Sequence, residues 1–213
     1  MTQRHFALQV TVGSVLFAVL VALVIHQLRT PASVPPRQPA LERLARYGPA
    51  PDFSLVERSG KAVSARDLRG QVWIADFIYT KCQDTCPLQS RAMAALQSDL
   101  KADGEVRSVS ITVDPLTDTP ALLSQYADRY GADPERWLFL TGELQQIRRI
   151  VQDGFRLSAA PVDGGTADPV VFHSARFVLV DHDGEIRGYY DSNDPQALKR
   201  LRENARSLLA GRA

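Results

Sequence analysis

The two cysteines of the chain, Cys82 and Cys86, lie four positions apart and are the residues best suited to chemistry. Thiolates at this spacing either cycle between dithiol and disulfide or bind a soft metal ion. A structural disulfide closing so short a loop would constrain the unfolded chain little, because the entropic gain grows with loop length. The pair therefore indicates redox chemistry or metal binding more than a purely structural role.

Three residues separate the cysteines, one more than in the Cys-x-x-Cys pair of thioredoxins. The additional residue lets both sulfur atoms spread around one centre, which suits Cu(I) with two thiolates and an imidazole, or Cu(II) with a further oxygen ligand. A four-coordinate zinc site is disfavoured, because the chain has two cysteines and four histidines. We expect Lys81 and the start of the following helix to favour the thiolate form.

An apolar run directly before the cysteines, residues 72–79, has the pattern of a strand buried on both faces. The next helix is predicted to have Pro87 at its first position and to extend as far as Asp103, so the cysteines lie at a strand-to-helix turn. Farther along the chain, strands and helices alternate before a final hairpin and helix. The predicted segments are strands 106–113 and 137–141, helices from Pro120 and from about Glu143, a hairpin of 176–180 with 185–190, and a helix from Pro195.

This alternation predicts a mainly parallel sheet covered by helices on both faces. With the closing hairpin, the predicted fold class is α/β and thioredoxin-like, a central mixed sheet flanked by helices. In such a fold the loop entering the hairpin approaches the end of the first central strand. His173, just before the hairpin, is therefore predicted to lie near Cys82 and Cys86 and to act as a third metal ligand.

The other candidate ligands have simpler interpretations. His5 and His26 flank an apolar segment far from the predicted domain, and His182 lies in a hairpin turn, where a histidine is usually exposed. Met93 carries a thioether, but its place in the helical pattern is that of an ordinary core residue.

The predicted domain organisation has an N-terminal stub (1–5), a transmembrane anchor (6–26), a Pro-rich linker (27–48) and a copper-binding thioredoxin-like domain (49–213). Residues 6–25 carry no charged side chain and are long enough to cross a bilayer. A cleaved signal peptide or a buried core helix is the alternative. A short stub before the anchor favours a single-pass protein of the bacterial inner membrane, with the domain in the periplasm.

Composition is that of a globular protein, with 45% hydrophobic and 23% charged residues. The formal net charge of +1 disfavours nucleic acid as a partner, because nucleic-acid binding needs a concentrated basic surface.

Three segments, 76–87, 112–120 and 173–181, resemble the SCO/SenC family of membrane-anchored copper proteins. The resemblance extends over about residues 49–209. It implies a thioredoxin-like fold, copper bound by two cysteines and one distal histidine, and a role in assembling the binuclear copper centre in subunit II of cytochrome c oxidase.

Carried over by position, the implied copper ligands are Cys82, Cys86 and His173. Two acidic residues, Asp84 and Asp114, match family positions near the site and are expected to have a supporting role at most. The sequence departs from the family pattern at two positions: Gln83 stands where proline is frequent, and Phe172 stands where a polar residue commonly precedes the histidine. Neither departure removes a ligand, although both bear on copper affinity and redox potential.

The expected function is that of a copper metallochaperone delivering copper to oxidase subunit II or another copper protein. The alternative is a thiol-disulfide reductase that uses Cys82 and Cys86 as a redox-active pair to keep the cysteines of the oxidase copper site reduced. A thiol peroxidase is the weakest interpretation, because it needs a single activated cysteine beside a cationic partner.

Overall fold

The structure is a computed structural model that describes residues 44–83, 85–102, 106–157 and 174–211. The predicted stub, the anchor, linker residues 27–43, Asp84 and His173 lie outside these ranges. Among the helices that the structure describes, none is both long and apolar enough to cross a membrane. The predicted anchor lies outside the described residues and stays a prediction.

Seven strands form one sheet in the order β2-β1-β5-β4-β3-β6-β7. Strands β3, β4 and β5 pair in parallel, and the remaining pairs are antiparallel. The sheet is therefore mixed, as predicted, and the mainly parallel arrangement holds only for its three central strands. The strands are β1 Ser54–Glu57, β2 Ala62–Ser64, β3 Val72–Ile78, β4 Val106–Thr112, β5 Trp137–Thr141, β6 Arg176–Val180 and β7 Ile186–Asp191.

Helices connect the successive parallel strands, follow β5 and β7, and pack on the sheet. They are α1 Thr85–Asp99, α2 Pro120–Arg129, α3 Leu144–Arg149 and α4 Pro195–Ala210, and a π-helical turn, Ile150–Gly154, continues α3. The α2 boundary follows the predicted signals, since Thr119 accepts a hydrogen bond from the Leu122 backbone and Pro120 occupies the first turn.

All seven residues of β3 are buried, which explains their nearly continuous apolar pattern. Trp73 and Phe77 pack into the core on one face of the sheet. Ile74 and Ile78 pack into the core on the other face, with residues of α1, α2 and α4. Because side chains alternate along a strand, Asp76 lies on this second face, where α1 packs.

Helix α1 differs from its prediction at both ends. It begins at Thr85, two residues before Pro87, and ends at Asp99, four residues before Asp103. The early start is compatible with Pro87, because the first four backbone N–H groups of a helix have no partner within it and proline lacks only that group. As a consequence Cys86 belongs to the first turn of the helix.

A buried ion pair anchors the described end of the linker to the hairpin of β6 and β7. Arg187 donates to Asp181 at 2.8 Å, and the guanidinium also donates to the Leu44 and Ala45 carbonyls at 3.1 Å each. Asp181 and Arg187 are 1% and 7% exposed. The buried Arg187 guanidinium thus holds the backbone of Leu44 and Ala45 against β7.

Candidate metal centre

The two cysteines lie beyond the carboxyl-terminal end of β3, where the chain turns into α1. The Cys82 backbone N–H donates to the Tyr79 carbonyl at 3.1 Å, which closes a tight turn after the strand. Neither cysteine is in a disulfide, and Cys82 and Cys86 are 7% and 4% exposed. The predicted strand-to-helix location of the pair is confirmed, in a more enclosed setting than an exposed loop.

Hydrogen bonds bring the sulfur of Cys82 to the start of α1. The Cys86 backbone N–H donates to Cys82 Sγ at 3.3 Å, and Thr85 Oγ1 lies 3.8 Å from the same sulfur. A sulfur at a helix N-terminus receives the positive end of the helix dipole, which stabilises negative charge on it. The fold therefore prepares Cys82 Sγ as a ligand or nucleophile.

Cys86 has the opposite environment, and the expectation that Lys81 and the helix start favour its thiolate is wrong. Burial raises the pKa of the Cys86 thiol, and its interactions with Cys82 and Asp76 raise that pKa further. A hydrogen bond with the Tyr79 backbone acts in the other direction with less effect. Lys81 is exposed, and its screened charge does not offset the burial of the thiol. A metal ion would have to displace the Cys86 proton.

A buried carboxyl group close enough to affect Cys86 escaped the sequence analysis. Asp76 is 0% exposed, and burial raises its pKa from the ordinary 3.8 to about 7. Ser110 Oγ donates to Asp76 Oδ1 at 2.5 Å and accepts from Trp137 Nε1 at 2.8 Å. Oδ2 has no hydrogen-bond partner in the described part of the chain. The available signal was an acidic residue inside a strand predicted to be buried on both faces.

Asp118 is a second buried acid that the sequence analysis missed. It is 0% exposed and accepts hydrogen bonds from Thr80, two residues before Cys82. By contrast Asp114, predicted to have a supporting role, makes its hydrogen bonds within the described residues through its backbone atoms. Asp84 lies outside those residues, so its predicted role is untested.

The third predicted ligand, His173, lies outside the described residues, but the residue after it is described. The buried Gln89 of α1 approaches the carbonyls of Ser174 and Arg176 with Nε2 at 3.5 and 3.4 Å. The chain immediately after His173 therefore runs beside the helix that carries Cys86. In the ranges that are described, no three His, Cys, Asp or Glu side chains form a metal-binding group.

Of the other candidates not expected to be ligands, His5 and His26 lie outside the described residues, and His182 and Met93 lie within them. His182 is in the β6–β7 turn at the amino end of β3, where its carbonyl accepts from Gly70 N at 2.8 Å. Its imidazole lies 3.7 Å from the Asp183 carboxylate. Met93 is fully buried in the core between α1 and the sheet, which confirms its structural role.

A thioredoxin-like sheet with a Cys-x-x-x-Cys pair at the end of a central strand is typical of proteins that exchange thiols with disulfides or bind soft metal ions. Residues 43–208 match the SCO1/SenC family model. A curated relative, the SCO1 protein homolog of Bacillus subtilis, is 36% identical over 141 residues, which are 65% of this chain and 72% of the relative. The chain belongs to the SCO1/SenC family.

Two solved structures extend the comparison. BsSco, described as a Sco-family cytochrome c oxidase assembly protein with a disulfide switch, is 31% identical with a TM-score of 0.67, over 78% of this chain and 97% of BsSco. Arabidopsis thaliana ScoI with copper bound is 25% identical with a TM-score of 0.64, over 76% of this chain and 98% of ScoI. The thioredoxin-like fold is thus the fold of this family.

Proposed function

We propose that the protein binds copper as cargo through Cys82, Cys86 and His173 and delivers it to the binuclear copper centre of cytochrome c oxidase subunit II. Another copper protein is the alternative acceptor. The main support is a pair of adjacent cysteines, not joined in a disulfide, at the carboxyl-terminal end of β3 in a member of a family with a copper-bound relative. Two soft sulfur ligands and one imidazole suit Cu(I) and disfavour harder ions.

Copper loading has to release protons under this proposal. The thiolate is the form of cysteine that binds metal, and burial raises the pKa of the Cys86 thiol. The bound metal replaces the proton of each sulfur, so apparent affinity rises with pH. The same coupling favours release of copper to an acceptor whose own thiolates are already formed.

We also propose that residues 6–26 anchor the protein in the bacterial inner membrane and that residues 27–48 hold the domain in the periplasm. The uncharged segment 6–25 is long enough to span the lipid, and the Pro-rich linker is stiff. Such a tether keeps the copper site near membrane-bound acceptors, which raises the effective concentration of the two partners.

A second candidate function is reduction of a disulfide in the acceptor. The two cysteines are not joined in a disulfide, and the Cys86 backbone nitrogen lies 3.3 Å from Cys82 Sγ, so the residues are close enough to form one. In that reaction the dithiol gives two electrons and two protons to the acceptor disulfide, and a Cys82–Cys86 disulfide forms. Copper and the disulfide compete for the same two sulfur atoms.

Replacing His173 by Ala separates the two functions. For a copper chaperone, we expect the variant to lose most of its Cu(I) affinity, to keep its thiol exchange rate and to fail in assembling the oxidase. Normal oxidase assembly despite lost copper binding would favour the reductase. Unchanged Cu(I) affinity would remove His173 from the ligand set. His182→Ala, beside the amino-terminal end of β3, is the matched control and should bind copper normally.

A further inference from the structure

A buried carboxylate joins the loop that follows β3 to the loop that follows β4. Asp118, in the loop between β4 and α2, is 0% exposed. Its oxygens accept the Thr80 hydroxyl at 2.5 Å and the Thr80 backbone N–H at 3.0 Å. These residues are 38 positions apart, so the contact depends on the parallel pairing of β3 with β4.

On its own side, Asp118 is held by the end of β4. Thr112 Oγ1 donates to Asp118 Oδ2 at 2.5 Å and accepts from Asp114 N at 3.0 Å. The Asp118 backbone N–H donates to the Asp114 carbonyl at 2.9 Å. A side chain fixed at both its backbone and its carboxylate provides a rigid support for whatever it binds.

On the other side, Asp118 fixes the turn that carries the first cysteine. Thr80 lies inside the turn closed by the Cys82 N–H and the Tyr79 carbonyl at 3.1 Å. Cys82 Sγ in turn accepts from the Cys86 N–H at 3.3 Å. Hydrogen bonds therefore join β4 through Asp118 to the turn of residues 79–82, and the backbone of that turn carries Cys82.

We propose that Asp118 is a positioning residue for copper binding, which rests on the copper function proposed above. It holds the turn around Thr80 so that Cys82 Sγ stays where a metal shared with Cys86 can reach it. Asp118 contacts the Thr80 backbone and hydroxyl and the Thr112 hydroxyl, so it acts on Cys82 through the turn. Pre-ordering the turn lowers the entropy lost when copper binds.

The chemistry of this support requires a carboxylate. Asp118 receives donors from the Thr80 N–H, the Thr80 hydroxyl and the Thr112 hydroxyl. A carboxylate only accepts hydrogen bonds and has about four acceptor positions, whereas an amide replaces one oxygen by an N–H donor. Asp118→Asn therefore keeps the shape and loses part of the support, and Asp118→Ala loses all of it.

The test measures Cu(I) affinity of the reduced full-length protein by competition with a chromophoric chelator. We expect Asp118→Asn to bind copper about tenfold more weakly, as is typical when a residue that orients a metal ligand is replaced. Asp118→Ala should bind copper still more weakly. The matched control is Asp181→Asn, which alters a carboxylate of 1% exposure beside the amino-terminal end of β3. It should lose stability and keep wild-type copper affinity.

Two further readouts separate positioning from general stability. Thr80→Val should also weaken copper binding, and adding it to Asp118→Asn should cost less than the sum of the two single effects. In the Cu(II)-loaded protein, the thiolate-to-copper absorption band should shift in Asp118→Asn and stay unchanged in Asp181→Asn.

Three results overturn the proposal: wild-type affinity in Asp118→Asn, equal losses in Asp118→Asn and Asp181→Asn, or additive effects of Asp118→Asn and Thr80→Val. If the wild-type protein itself binds no Cu(I), the proposed copper function fails together with this inference. If the wild type binds Cu(I) and Asp118→Asn binds it equally well, only the positioning role of Asp118 fails.

Discussion

Asp76→Asn should remove a pH-dependent destabilisation from the reduced, metal-free protein. Burial raises the pKa of Asp76 from 3.8 to about 7, so between these values the folded protein keeps a proton that the unfolded chain releases. The stabilisation of the fold by the protonated Asp76 carboxyl is fully present below pH 3.8 and is lost as pH rises through about 7. At about 1.4 kcal/mol per pH unit, the loss reaches roughly 4 kcal/mol near pH 8.

The neutral amide fits the same site without titrating. Its oxygen can still accept the Ser110 hydroxyl, which donates to Asp76 Oδ1 at 2.5 Å. We therefore expect the variant to exceed the wild type by about 1 kcal/mol at pH 4.5 and by several kcal/mol at pH 8, an upper range set by the pKa difference.

Urea unfolding of both proteins between pH 4.5 and 8, under reducing conditions, measures this difference directly. Asp128→Asn, which removes an exposed carboxylate from α2, controls for the change in net charge and should follow the wild-type curve. Parallel pH profiles for wild type and Asp76→Asn would refute the assigned burial effect, as would a variant that loses stability at pH 8.

Two other predictions concern contacts that hold the domain together, both read from urea unfolding at pH 7. Arg187→Met should cost about 3 kcal/mol or more, because it leaves the buried Asp181 carboxylate without the cation 2.8 Å away; a loss below 1 kcal/mol would contradict this. Tyr126→Phe should cost about 1 kcal/mol, because it removes the buried hydrogen bond of 2.8 Å to the Ser90 hydroxyl. An unchanged midpoint would show that this bond contributes nothing to stability.

The central strands and the location of the cysteines were predictable because their signals are local. A continuous apolar run marks β3, and Thr119 followed by Pro120 marks the start of α2. The start of α1 was less predictable, because Pro87 fits any position in the first turn. The edges of the sheet were also less certain: antiparallel pairing of β1 with β5 depends on contacts between distant segments.

The electrostatics of the site depended on tertiary contacts that no local pattern displays. Asp118 meets Thr80 across 38 positions, and Asp76 matters because α1 covers it. The expectation that Lys81 and the helix start favour the thiolate form considered charge and omitted burial, which dominates at Cys86. The ligand role of His173 stays a prediction, supported by the contact of Gln89 with the carbonyl of the next residue.

Titration of the reduced full-length protein with Cu(I) tests the central claim most directly. We predict saturation at one copper ion per chain, release of protons on binding, and loss of this site in Cys82→Ser and in Cys86→Ser. Tight binding of one ion that survived either serine substitution would contradict a copper centre built on the cysteine pair, and so would the absence of any saturable binding to the wild type.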